Sequence, residues 1–144
     1  MTEHTTIDPS PVIIVRRWND SVIQTHGYDA LGPYPERYWL PIIGPSALLI
    51  LRRFTRDLQE LEAQAATFNL DSIAKSMGLS FAKGYERSTF GRALNRLVRF
   101  NLAHWENDST YLIRTMVPTV PYQLRRQRLS DLLQVTHDEL MVAH

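Results

Sequence analysis

The chain has 144 residues, of which 44% are hydrophobic, and a formal net charge of +1. That is long and apolar enough for one domain with its own core, unaided by metal or disulfide. It contains no cysteine, which excludes disulfides, thiolate metal sites and a cysteine nucleophile.

Met1 to Ser10 is polar and acidic and lacks the cationic start and apolar centre of a signal peptide, so it is expected to be loose. Val12-Ile13-Ile14-Val15 is β-branched and reads as a strand. Trp18 to Tyr38 is broken by Gly27, Gly32, Pro33 and Pro35 and reads as loop and short turns. The aromatic cluster Tyr34, Tyr38 and Trp39 suits either a small-molecule or partner pocket or a cover over the base of the next helix. The second reading is favoured, because small domains use rings as core. From Pro45 a helix is expected to run to about Gln64, with Leu48, Leu51, Leu58 and Leu61 at helical spacing. Its Arg52, Arg53 and Arg56 suit a nucleic-acid backbone or the nearby acids of the same helix equally well. The longest apolar run, Ala47 to Leu51, is far too short to cross a bilayer. A cytoplasmic location away from membranes is expected.

A short strand at Thr67 to Leu70 is expected next. Asp71 and Ser72 can cap a helix that carries Ile73, Ala74 and Met77 and stops at Gly78. Over Ser88 to Phe100, spacing at about 100° per residue gathers Phe90, Leu94, Leu97 and Val98 on one face. Ser88, Arg92, Asn95 and Arg99 fall opposite, with Arg96 beside them. Such a face suits nucleic acid, because Arg donates two parallel hydrogen bonds to guanine and Asn pairs bidentately with adenine. Arg92, Asn95 and Arg96 are the base-edge candidates, and Lys83, Arg87 and Arg99 the phosphate candidates, with Ser88 and Thr89 at the start of the helix. Taken alone, a cationic amphipathic helix is more often a solvated face than a binding site.

Leu102 to Glu106, a turn through Asn107-Asp108-Ser109, and Thr110 to Val117 read as a hairpin, which the strand at Thr67 to Leu70 would join. Its tip carries Glu106 and Asp108 with no Lys or Arg, so it is a poor DNA contact. After Pro118 and Pro121, Tyr122 to Leu129 is a basic turn or two whose Arg125, Arg126 and Arg128 are further candidates for backbone contact. Ser130-Asp131 can cap a terminal helix carrying Leu132, Leu133, Val135 and Leu140. That helix either folds back on the core or pairs two copies into a homodimer.

The order Asn69 to Met77, Ser88 to Phe100 and hairpin resembles the winged helix-turn-helix fold of bacterial transcription factors. Tyr38-Trp39-Leu40-Pro41-Ile42-Ile43-Gly44-Pro45-Ser46 and Leu94-Asn95-Arg96-Leu97-Val98-Arg99-Phe100-Asn101-Leu102-Ala103 also resemble a group of small winged-helix proteins from actinobacteria and their phages. The expected fold class is mainly α with a small antiparallel β-hairpin (α+β): a winged helix-turn-helix with an N-terminal extension and a C-terminal helix. One globular unit would comprise an arm (1–44), the winged domain (45–118) and a C-terminal helical segment (119–144).

From Lys83 to Arg128 there are nine bases to three acids, a net +6, whereas the first 36 residues carry two bases and five acids, a net −3. This asymmetry points to an anionic partner on one face. His4, His26, His104, His137 and His144 lie singly, without metal-ligand spacing, and the glycines form no phosphate loop. No catalysis, cofactor or metal is expected. Double-stranded DNA is the expected partner and transcriptional regulation the expected role. The alternative is a protein-interaction module that engages polymerase, a sigma factor or a phage assembly component.

Overall fold

A computed structural model describes residues 7–82 and 84–143. In chain order its elements are β1 (Val12–Arg17), α1 (Ser21–His26), β2 (Tyr28–Asp29), a π-helical turn (Pro35–Trp39), α2 (Leu40–Ile43), α3 (Pro45–Glu60), β3 (Ala65–Asn69), α4 (Leu70–Ser76), α5 (Thr89–Arg99), β4 (Ala103–Asn107), β5 (Thr110–Ile113), β6 (Met116–Val117), α6 (Tyr122–Arg128) and α7 (Asp131–Ala143).

The strands form two sheets. The larger is mixed, in the order β3-β1-β5-β4, and the smaller pairs β2 with β6. β1 runs antiparallel to β3, with Ile13 opposite Phe68, and parallel to β5, with Val15 opposite Tyr111. Period-2 alternation sets its faces: Ile13 and Val15 are buried, while Val12, Ile14 and Arg16 face solvent. α3 buries Ala47, Leu48, Ile50, Leu51, Phe54, Thr55 and Leu58. Phe54 meets both Phe68 and Tyr111, which ties this helix to the inner face of the sheet.

This architecture overturns the expectation of a mainly helical winged helix-turn-helix with one hairpin. A hairpin does form, since β4 and β5 pair antiparallel, but it is half of a four-stranded mixed sheet. β3 does not join it, because β1 lies between them. The return strand also ends earlier than expected: it stops at Ile113, and Met116–Val117 turns away to pair with Tyr28–Asp29. The strand character of Val12–Val15 is plain locally, but its pairing is not. A parallel partner about a hundred residues away leaves no turn signal between the strands.

Smaller departures have local causes. α1 forms inside the supposed loop because Asp20 caps it, its carboxylate accepting from the amides of Val22 and Ile23. α4 starts at Leu70, one residue before the expected caps, because Asn69 accepts from the Ser72 amide at 2.9 Å. α3 ends at Glu60 rather than about Gln64, and Glu62 sits at positive φ just beyond it. Arg52 donates to the carbonyls of Leu31 and Gly32, and Arg53 pairs with Asp57, so these two cations serve the fold. Arg56 is exposed.

α7 folds back on the chain through His137, the one buried residue it contributes. The His137 Nε2 and the Tyr34 hydroxyl are 2.7 Å apart, and that hydroxyl also accepts from the Val120 amide. Nδ1 has no hydrogen-bond partner among the described residues. An imidazolium would carry a proton there with no acceptor, in a buried site. Burial and then Arg125 hold His137 below the ordinary 6.5, with Asp138 opposing. The unfolded chain therefore takes up the proton first as pH falls. Stability should be flat above about pH 6.5 and decline below it. Thermal melts across that range should show the decline, and His137→Phe should flatten it. An unchanged profile in the variant would assign the acid sensitivity elsewhere.

Candidate nucleic-acid interface

α5 is placed by contacts that leave one face free. Its inner side buries Phe90, Gly91, Ala93, Leu94 and Leu97. The Tyr111 hydroxyl donates to the Leu94 carbonyl at 2.8 Å and fastens the helix to the sheet. At the start of the helix the Tyr85 carbonyl lies so close to Gly91 that a Cβ there would come within 1.5 Å of its oxygen. Only glycine fits.

The expected duplex-facing residues separate into groups. Thr89, Arg92, Asn95, Arg96 and Arg99 are exposed along the outer side of α5, and Arg87 is exposed just before it. Ser88 is buried, and its hydroxyl accepts from the Gly91 amide at 2.9 Å. It is the helix cap, with that oxygen turned into the protein. The Arg99 guanidinium lies 5.5 Å over the Phe100 ring. Lys83 lies outside the described residues. On α6, Arg126 and Arg128 are exposed, whereas Arg125 donates to the Val120 carbonyl at 2.6 Å. Arg114, counted in the basic half of the sequence, is buried beside Asp20 and is withdrawn from any surface charge.

Asn95 is held by a relay that sequence reasoning did not find. Trp105 on β4 donates its indole N–H to the Tyr85 hydroxyl at 3.0 Å, and that hydroxyl donates to Asn95 Oδ1. Burial pushes the Tyr85 phenol up to about 12, despite the opposing bond from Trp105 and with Glu86 reinforcing the rise. It therefore stays a protonated donor. With one lone pair of Oδ1 engaged, the second and both amide protons remain, which is the set a bidentate adenine contact uses. No local pattern links Tyr85 to Asn95 and Trp105. The loop ahead of α5 brings them together.

Arg92 and Arg96 also line a cleft of about 180 Å³ against Gly44, Pro45 and Ser46, where α3 begins. Gly44 sits at φ +84°, and a Cβ there would lie 3.5 Å from Arg96 Nη1, so the guanidinium rests against this turn. Gly44 offers the helix no side-chain cap. Two guanidinium groups and an uncapped helix start make this the most anion-attracting concavity on the α5 side.

The hairpin tip is of the opposite kind: Asp108 is exposed, and Glu106 is occupied by Arg16 at 3.1 Å. Among the described residues no cluster of three His, Asp or Glu side chains could hold a metal, and no helix is long and apolar enough to cross a membrane. No family model, curated protein or solved structure matches this chain.

Proposed function

We propose that this protein binds double-stranded DNA as a transcriptional regulator, presenting the outer face of α5 to the major groove. The observation that carries this reading is Asn95, held by the Trp105–Tyr85 relay in a row of exposed arginines. A face kept only for solubility has no need of a side chain fixed from behind. Asn95 and Arg92 are the base-edge candidates, Arg87 and Arg99 suit phosphates, and Arg96 beside the Gly44 turn suits a phosphate seated in the cleft.

Fluorescence anisotropy on a labelled duplex tests this. Binding is expected at low salt, with the logarithm of the association constant falling linearly against the logarithm of salt concentration. Arg92→Ala with Arg96→Ala should reduce that slope by up to about 2, because each lost phosphate contact removes roughly 0.9. Both side chains are exposed, so the melting temperature should hold. Absence of duplex binding at low salt overturns the proposal.

A protein-binding role is the second reading, favoured by the apolar outer side of α7, where Leu132 is 71% and Val142 is 88% exposed. It is supported if a stoichiometric protein partner, or a second copy, is released by Leu132→Asp with Val142→Asp.

A further inference from the structure

A cavity of about 680 Å³ opens where the β2 strand, the π-helical turn and α7 meet. Its size is that of a small-molecule site rather than a packing defect. Tyr28, Tyr34 and Tyr38 line it, with Asp29 and Arg37 on one side and Glu139 on α7 on the other. The sequence favours these rings as core. Tyr34 and Tyr38 are indeed buried, yet they also border an open volume.

The tyrosine hydroxyls at its base are already committed. That of Tyr34 is bonded to His137 and the Val120 amide, and that of Tyr38 donates to Thr136 at 3.1 Å. Tyr28 stacks on Tyr34 with ring centroids 3.8 Å apart and planes 6° from parallel. What the cavity offers is therefore aromatic surface, with two carboxylates and one guanidinium around it. Asp29 keeps its negative charge available, since its one recorded bond is a carboxylate oxygen accepting from the Leu31 amide. Aromatic faces and carboxylates both favour a cation, and the walls carry one more negative charge than positive. The π-helical turn places Tyr38 and Arg37 at this point of the fold, and such turns recur at functional sites.

We propose that this cavity binds a small amine: a flat aromatic ring carrying a protonated amino group. The ring lies against the tyrosines, and the ammonium sits between Asp29 and Glu139.

Three probes with related rings and different charges test it by calorimetry on the full chain: tryptamine, indole and indole-3-acetate. Tryptamine is expected to bind at least about tenfold more tightly than indole, and indole-3-acetate more weakly than either. Glu139→Gln should lower tryptamine affinity by about fivefold or more and leave indole unchanged. Glu139 is exposed, so the variant is expected to fold, and its melting temperature checks this. Asp29→Asn provides the same readout from the other wall. Binding of indole-3-acetate in preference would assign the cavity to anions through Arg37 and overturn the proposal. Equal affinities for all three probes, or no binding by any of them, would also overturn it.

Discussion

Gly91→Ala is expected to destabilise the protein by about 3 kcal/mol, against the ordinary direction of that exchange. Inside a helix the exchange is worth about 1 kcal/mol in favour of alanine. Here the added methyl would meet the Tyr85 carbonyl oxygen at 1.5 Å and its carbon at 2.4 Å. Both are backbone atoms, so no rotamer change relieves the clash. Either the 80–88 loop or the first turn of α5 must move, and overpacking of this kind costs 1–3 kcal/mol or more. Because Tyr85 steers Asn95, the displacement should also weaken any duplex binding. Urea unfolding measures the first effect. An unchanged or higher midpoint would show that the loop yields freely.

Arg114→Ala should cost a similar amount, about 3 kcal/mol. Only 3% of this side chain is exposed. Its Nε donates to the Asn101 carbonyl at 2.7 Å, its guanidinium lies 3.7 Å over the Trp18 ring, and Asp20 stands 3.6 Å from Nη1. Burial lowers the Arg114 pKa from its ordinary value, and Asp20 opposes that shift. Asn101 is one of two non-glycine residues at positive φ, in the tight turn between α5 and β4. Arg114 thus clamps a turn that an asparagine is suited to form. Truncation removes a charge-assisted bond, a stacked pair and core volume together. Asp20→Asn separates the charge from the rest, because asparagine still caps α1. It leaves a buried guanidinium without its counter-charge, at an expected cost of about 2 kcal/mol. This is below the usual figure for breaking a buried pair, since Asp20 is about a third exposed. Equal stability of Asp20→Asn and the parent would show that the ion pair contributes nothing net.

What was legible in the sequence was local. The cationic face of α5, the hairpin that follows it, left-handed Gly78 and the basic turn of α6 are written in spacing and residue type, and each lies where that spacing puts it. What escaped was pairing across distance. β1 reads as a strand, yet nothing near it names Tyr111 as its neighbour. β2 and β6 are two residues each, too short for any periodicity. At the interface the same limit applies. Arg92 and Asn95 follow from the helical wheel, whereas the support that Tyr85 and Trp105 give Asn95 depends on a loop conformation. Ser88 shows the converse error: the wheel put it on the outer face, but its place at the helix start makes it a cap.

The position of β1 fixes the order in which this chain can be completed. Residues synthesised among the first must wait for Thr110 to Ile113 before the middle of the sheet can close. Until then β3 and the nascent first strand have only each other, and an isolated two-stranded pair is marginal. The sheet should therefore form after synthesis, in one cooperative and comparatively slow step governed by distant contacts. Cutting the chain between α3 and α5 should yield two pieces that fold only in each other's presence.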